Sequence, residues 1–162
     1  MSMLLYILVI IVVIFLILIA AAPKKYHVSR SVEIGRLISD VYEYLRFIKN
    51  KDYWSPWKKR DPNMKQTDTG IDGTVGSGEQ EIASLEENKR IESTLRFLKP
   101  FKSLSQGFFD LEETNGKTKV TWGFYGTHKV PVNVMMLFFN MDKAVGKDFE
   151  EGLSDLKIEL ER

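Results

Sequence analysis

Few residues in this chain could carry acid–base or nucleophilic chemistry. It has 162 residues, with two histidines and no cysteine. His27 lies on the polar side of a predicted strand and His128 follows another, and neither has a serine or carboxylate at a spacing that builds a catalytic triad. Clusters of histidine and acid at metal-ligand spacing are also missing. The pattern therefore favours surface histidines, and it predicts no catalytic residue, no metal and no cofactor.

Carboxylates, glycines and net charge narrow the function classes further. Glu33 and Glu81 are predicted strand residues, and either would be a general-base candidate if it pointed into the core. The glycines between residues 70 and 78 match neither nucleotide-binding fingerprint. A formal net charge of +1 gives no basic excess for phosphate backbones. We therefore expect no nucleotide site and no nucleic-acid partner.

An aromatic cluster is the more informative group of side chains. Tyr53, Trp54 and Trp57 follow a predicted helix, and the basic residues 58–60 come directly after them. One interpretation is a hydrophobic plug under a loop. The other is a lid over a cavity mouth or a membrane-interface anchor, because Trp and Tyr favour headgroup depth and basic residues suit anionic lipid.

The N-terminal stretch is apolar over its whole length. Met3 to Ala22 is a run of about twenty uncharged residues, the length that crosses a bilayer core. A cleaved signal peptide is the rival interpretation, but no Lys or Arg precedes the run and Pro23 would follow the cut. Lys24, Lys25 and Arg30 flank its C-terminal side, so the positive-inside rule puts the following domain in the cytoplasm. We predict a single-pass membrane protein with a cytoplasmic domain.

The end of the chain predicts one long amphipathic helix. From Val134 to Glu161, apolar residues recur at helical spacing along one face, with Asn133 as the expected cap. Such a helix would be about 40 Å long and needs a broad apolar surface. Gly146 and Gly152 in its interior cost about 1 kcal/mol each against alanine, which indicates close backbone approach or room for a ligand.

The middle of the chain offers that surface as short alternating strands. A strand over residues 26–34 and a helix over residues 36–49 precede a turn-rich segment, and Asn115-Gly116 is a strong hairpin signal. The later strands are predicted over residues 80–85, 91–98, 103–111 and 119–125. This order predicts an α+β fold.

These elements carry a resemblance. The segments YHVSRSVEI, YWSPWKKRDPNM, GEQEI, RFLKPFKS, KVTWGFYG and NMDKAVGKDFEEGLSDLK resemble the polyketide cyclase/dehydrase and lipid-transport family, within the START-like, SRPBCC helix-grip superfamily. The resemblance implies a curved antiparallel sheet gripping a long C-terminal helix, with a cavity for an apolar molecule between them. It divides the chain into a transmembrane helix, residues 3–22, and a START-like domain, residues 26–162. In one departure, Gly76-Ser77-Gly78 is expected to join two segments directly, which predicts fewer or shorter strands than the family's seven.

Three functions follow from this resemblance. The first is a membrane-anchored domain that binds a lipid or other small lipophilic molecule. The second is a cyclase-like enzyme, and the third is a ligand-free interaction domain resembling chaperone activators. For the first, the predicted ligand contacts are the inward apolar residues of the strands and last helix, namely Leu95, Phe97, Phe108, Trp122, Phe124, Phe138, Met141, Val145 and Phe149.

Overall fold

The secondary structure is an apolar helix followed by an α+β domain. A computed structural model describes residues 3–63, 65–66, 70–73, 76–99 and 102–162, with side chains in β2 and β3 left aside. The helices are α1 (Met3–Ala21), α2 (Ile38–Leu45), α3 (Pro56–Arg60), α4 (Val132–Met135) and α5 (Met141–Glu161), with a 3-10 helix over Ile48–Tyr53. The strands are β1 (Lys25–Ile34), β2 (Lys65–Gln66), β3 (Gly70–Gly73), β4 (Gly76–Glu86), β5 (Arg90–Lys99), β6 (Ser103–Thr114) and β7 (Lys117–Thr127).

Helix α1 is long and apolar enough to cross a membrane. It has 19 residues with a mean hydropathy of 3.5, and none of its residues is buried against the rest of the protein. A signal sequence has the same length and composition. One polar contact fixes its C-terminal end, because Asn133 Nδ2 donates to the Ile19 carbonyl at 3.2 Å.

The sheet is antiparallel and curved, with strand order β1-β7-β6-β5-β4-β3-β2. The predicted hairpin between β6 and β7 is confirmed, since Asn115 and Gly116 both have the positive φ that this turn requires. The register also aligns one end of five strands. Tyr26 of β1 lies opposite Gly126, and the row continues across β6 and β5 through Ser105 and Leu95 to Gln80 of β4.

The segment expected to be shortened does contain short strands. β2 has 2 residues and β3 has 4, whereas the five long strands have 10 to 12. Gly76-Ser77-Gly78 begins β4, which continues through the GEQEI segment as one strand, and these three residues pair with residues 71–73 of β3. Residues 67–69 and 74–75, which fall in the same segment, lie outside the described residues.

Helix α5 begins later than the sequence pattern predicts. Its cap is Asn140, whose side chain accepts a hydrogen bond from the Lys143 amide at 2.9 Å, and the helix runs for 21 residues, or roughly 30 Å. The predicted start at Val134 is wrong because α4 ends at Met135 and a non-helical stretch follows. Asn133 is fully buried against α1 and caps nothing.

Both interior glycines of α5 permit close approach. A Cβ on Gly146 would lie 2.1 Å from Arg30 Nη2, and a Cβ on Gly152 would lie 2.8 Å from Trp122 Cζ3. The Arg30 guanidinium therefore rests on the helix backbone, between Asp142 at 3.0 Å and Glu150 at 2.7 Å. These two carboxylates raise the pKa of Arg30 above its ordinary value. These contacts with α5 explain why a cation, Arg30, occupies a position on the otherwise apolar side of β1.

Candidate ligand-binding site

A cavity of about 280 Å³ lies between the inner face of the sheet and the N-terminal half of α5. The strands β4, β5, β6 and β7 supply one wall, and Val145 and Phe149 supply the helix side. The other apolar and aromatic residues at its wall are Trp57, Leu95, Phe97, Phe108, Phe109, Trp122 and Phe124. The wall is therefore mostly apolar, which is typical of sites for small lipophilic molecules.

The cavity lies at one end of the sheet. Gly78 and Phe97, which face each other on β4 and β5, border it beyond the row that contains Tyr26. Tyr26 is the second residue of β1 and follows α1 after a short connection. The cavity is thus built at the end of the sheet where the chain arrives from α1.

Small residues on the inner face make the hollow possible. Gly107 of β6 faces the cavity, and a Cβ there would lie 2.9 Å from Ser93 Oγ and 3.2 Å from Leu95 Cδ1. Any larger side chain at this position would push into the space or displace its neighbours. Gly107 of β6 therefore adds no side-chain volume to the part of the wall that lies between β5 and β7.

A string of polar groups crosses this apolar wall. Lys51 Nζ donates to Gln80 Oε1 at 3.2 Å, and Gln80 Nε2 donates to Ser93 Oγ at 3.1 Å. Gln80 and Ser93 are buried at 8% and 5% exposure. Lys51 is half-buried as a residue, and the burial of its ammonium group lowers the pKa of Lys51 to about 8.

Local structure fixes Lys51 and Trp57 at the wall. Lys51 belongs to the 3-10 helix, which is tied to α2 because Asn50 Nδ2 donates to the Tyr44 carbonyl at 2.7 Å. Ser55 caps α3 by accepting from the Lys58 amide, and this sets Trp57 on the first turn. The Lys51 ammonium then lies 5.6 Å from the Trp57 ring centroid and 5.0 Å from that of Trp122.

The carboxylates at the cavity wall have other partners. Asp148 Oδ1 pairs with Arg60 Nη2 at 2.7 Å, and Glu79 lies 3.9 Å from Arg96. Within the described ranges, no ion pair involves Lys51. No cluster of three metal-ligating side chains occurs in that part of the chain either. Lys51 and Lys99 are the lysines at the cavity wall. Lys99 is exposed, so among the described residues Lys51 is the buried cation of the cavity that has no acidic partner.

The structure brings together most of the predicted ligand contacts. Seven line the cavity, namely Leu95, Phe97, Phe108, Trp122, Phe124, Val145 and Phe149. Phe138 and Met141 do not, because Phe138 is 83% exposed and Met141 packs at the margin of the core. The roles in ligand binding of all nine residues remain predictions.

Phe108 borders the cavity, but its ring does not lie on the inner face of the sheet, where the sequence pattern predicts it. Successive strand residues point to opposite faces, and Phe109 stacks on Trp122 inside the sheet at 5.7 Å. The Phe108 ring instead stacks with His27 at 5.6 Å, and the Arg90 guanidinium lies 4.8 Å from its centroid. Its ring therefore packs on the outer face.

The three aromatic residues predicted as a lid or membrane anchor separate in the structure. Trp54 is 1% exposed and meets Phe109 and Trp122 edge to face, so it belongs to the core. Trp57 lines the cavity, and Tyr53 is 71% exposed. Trp54 fits the plug interpretation, whereas a lid or membrane-anchor role for Tyr53 and Trp57 stays a prediction.

Sequence reasoning missed the polar string. Ser93 has the same strand parity as Leu95, and Gln80 has the inward parity of Ile82, so two polar residues at inward positions are a usable signal in the sequence. No such signal marks Lys51. Glu33 and Glu81, the general-base candidates, are both exposed.

Comparison with known proteins defines the fold. No family model matches the chain. No curated protein matches it either. Solved structures do resemble it, although their sequence identity is low enough to show the fold alone.

Three of these structures illustrate the likeness. An uncharacterized protein from Bacillus thuringiensis shares 14% identity at a TM-score of 0.60, covering 83% of this chain and 98% of its own. The Aha1 dimer from Colwellia psychrerythraea shares 14% identity at a TM-score of 0.59, covering 84% of this chain and 96% of its own. DynU16, a protein in the dynemicin biosynthetic locus, shares 18% identity at a TM-score of 0.53, covering 83% of this chain and 47% of its own. The chain therefore has a helix-grip, SRPBCC-like fold.

Proposed function

We propose that the domain binds a lipid or other small lipophilic molecule in this cavity and that α1 anchors it in a membrane. The observation that carries the proposal is the hollow of about 280 Å³ between sheet and helix, whose wall is largely aromatic and aliphatic. Apolar surface left against such a hollow loses the dispersion contacts of a filled core. A lipophilic ligand would restore them.

The surface around the end of α1 supports a membrane location. Residues 130–139, which we call the apolar surface segment, expose Val130 at 54%, Met135 at 53%, Phe138 at 83% and Phe139 at 50%. Exposed apolar side chains concentrated in one segment are unusual on a soluble surface. The contact from Asn133 to Ile19 joins this segment to α1.

Exposed cations surround the same region. Lys24 and Lys25 follow α1, and Lys129 precedes the apolar surface segment. The His128 amide donates to the Lys24 carbonyl at 2.8 Å, so these cations lie together. Basic residues beside apolar ones suit the headgroup region of an anionic leaflet. With the positive-inside rule, they favour the cytoplasmic side for the domain.

Cavity and anchor lie at the same end of the sheet, which gives the proposal its mechanism. A lipophilic molecule in the outer part of the bilayer would enter the cavity without crossing much water. The ligand would lie along Leu95, Phe97 and Phe124, with Val145 and Phe149 of α5 over it. Binding needs no covalent step and no cofactor.

Ligand binding is tested by filling the hollow. In full-length protein reconstituted into nanodiscs, we expect binding of a fluorescent fatty-acid or isoprenoid probe. Val145→Trp should abolish it because the indole occupies the cavity. Ser154→Trp on the exposed face of α5 is the matched control. Failure of the unmodified protein to bind any of a broad lipophilic panel would favour the interaction-domain alternative, and unchanged binding by folded Val145→Trp would place the ligand elsewhere.

Membrane anchoring is tested separately. Full-length protein should stay in the membrane pellet after carbonate extraction, whereas release into the soluble fraction would contradict a retained α1. Protease added outside sealed right-side-out vesicles should spare the domain if it is cytoplasmic. Digestion from that side would reverse the orientation.

An enzyme of cyclase type is the second candidate. The observation in its favour is the string of Lys51, Gln80 and Ser93 inside an apolar cavity, because a lysine with a pKa of about 8 can accept a proton near neutral pH. The two functions differ in what happens to the bound molecule. Mass spectrometry of a cavity ligand after prolonged incubation should recover it unchanged if the domain only binds.

A further inference from the structure

Lys51 is a cation in an apolar wall without an acidic partner among the described residues. Its neighbours are the amide oxygen of Gln80 at 3.2 Å and the faces of two indoles at 5.0 and 5.6 Å. The nearby acids Asp148 and Glu79 lie beside Arg60 and Arg96. A neutral amide and two aromatic rings stabilise an ammonium group only partly.

This placement costs the ligand-free protein free energy. Moving an ammonium group out of water is unfavourable unless an opposite charge accompanies it, and here burial lowers the pKa of Lys51 to about 8. At neutral pH the group still carries its proton most of the time. An anion brought by a ligand would offset the cost, and its charge-assisted hydrogen bond would be strong because the Lys51 ammonium group is buried.

We propose that the cavity selects amphiphiles that carry a single carboxylate, which pairs with Lys51 while the apolar tail lies against Leu95, Phe97 and Phe124. This inference rests on the proposed function and names its ligand class. The single buried ammonium group matches a single negative charge, because Lys99, the other lysine at the wall, is exposed to solvent. The described cavity wall shows no arginine facing Lys51 that could form a two-pronged phosphate clamp, because Arg60 and Arg96 are committed to acids.

The chain provides its own reporter for this ligand. It has three tryptophans, of which Trp57 and Trp122 line the cavity and Trp54 lies 5.0 Å from Trp122. A brominated tail that enters the cavity should therefore quench most of the tryptophan fluorescence. Helix α1 contains no tryptophan, so brominated molecules around the anchor contribute little.

The experiment compares dibromostearic acid with its methyl ester, using full-length protein in phosphatidylcholine nanodiscs at pH 7. We expect the acid to bind about tenfold or more tightly than the ester, since the charge-assisted bond is lost in the ester. Lys51→Met should remove this preference, so that the acid and the ester bind with similar affinity. Lys51→Arg, which keeps the charge, should retain most of it.

A matched control and a pH profile separate charge at this site from general attraction. Lys89→Met removes an exposed lysine at the far hairpin, and it should leave the acid preference intact. For the wild type, the preference should fall as pH rises above about 8, where Lys51 loses its proton. Ester binding should not change over that range.

The outcomes are distinguishable from failure of the proposed function. Equal binding of acid and ester would overturn the carboxylate inference and leave lipophilic binding standing. So would a preference that persists in Lys51→Met. Quenching by neither compound would overturn both. Far-UV circular dichroism confirms that each variant is folded, and the Lys51→Arg result guards against a purely structural effect of the methionine.

Discussion

At one end of the inner face, Leu153 and Leu156 of α5 belong to the same hydrophobic cluster as Val120 of β7, and all three are at most 2% exposed. At the other end, Val145 and Phe149 of the same helix face a hollow. Helix α2 covers the first end by packing on β6 and β7. One helix and one sheet thus enclose a solid core at one end and a cavity at the other.

The difference comes from the partners of α5. At the filled end, α2 contributes Val41 and Leu45, which are 0% and 5% exposed. At the hollow end, the residues of the inner face that line the cavity include the small residues Gly78, Ser93 and Gly107, which add little side-chain volume to it. The same apolar stripe can therefore serve stability at one end and ligand binding at the other.

The largest expected effect is a matched pair of truncations. Leu156→Ala at the filled end should lower the free energy of unfolding by about 3 kcal/mol, because it leaves a void in a packed core. Leu95→Ala at the cavity should cost about 1 kcal/mol or less, since one side of Leu95 already faces space. Chemical denaturation followed by tryptophan fluorescence measures both.

Measuring ligand binding by the same two alanine variants sharpens the comparison between the ends. Leu95→Ala should weaken binding of the fluorescent probe more than Leu156→Ala does, in the reverse order of their effects on stability. Equal loss of stability for both variants would mean that the cavity is filled in solution, and the contrast between the ends would disappear.

The contrast between the ends was only partly predictable from the sequence. The apolar stripe of α5 and the hairpin at Asn115-Gly116 follow from periodicity and turn chemistry. The hollow and the solid end of α5 show the same pattern of apolar and polar residues in the sequence. Whether a void forms depends on the side chains of other elements that face the helix. Periodicity also misplaced the start of α5, since residues 134–139 are apolar on every side and gave no boundary before Asn140.

The positions of the site residues were also only partly predictable from the sequence. Tyr53, Trp54 and Trp57 are close in sequence, yet one is exposed, one is in the core and one lines the cavity. The 3-10 helix and the cap at Ser55 decide these directions. Lys51 gains its environment only from distant residues, Gln80 and Trp122, and no local pattern encodes that meeting.

A smaller effect concerns the cost of Lys51 at the hollow end. We expect Lys51→Met to raise the melting temperature of the ligand-free protein at pH 7 by on the order of 2–4 °C, because it removes a partly desolvated charge. The folded-state pKa of about 8 lies below the ordinary 10.5, so the unfolded chain binds more protons between these values. Wild-type stability therefore rises with pH in this window.

The stability gap between the two proteins should accordingly shrink as pH increases from 8 towards 10.5. Groups that titrate in both proteins cancel in the difference. Thermal melts at several pH values, read by tryptophan fluorescence, give the comparison. A gap that stays constant would show that the ammonium group is solvated and that its environment costs nothing.

The smallest effect on stability, and the last distinction between the ends, concerns which end meets the bilayer. The chain has no cysteine, so Phe138→Cys and Ser154→Cys can each carry one polarity-sensitive label without background. Both positions are exposed, so either change should alter the free energy of unfolding by less than about 0.5 kcal/mol.

The emission wavelength of the two labels then reports which end meets the bilayer. In nanodiscs, the label at residue 138 should emit at a shorter wavelength than the same label does in buffer. The label at residue 154, on the exposed face of α5, should emit as in water. Because residue 138 belongs to the apolar surface segment, which Asn133 joins to α1, a blue shift there alone would place the hollow end against the lipid. Water-like emission from both labels would separate the cavity from the membrane, and the ligand would then have to reach it through solvent.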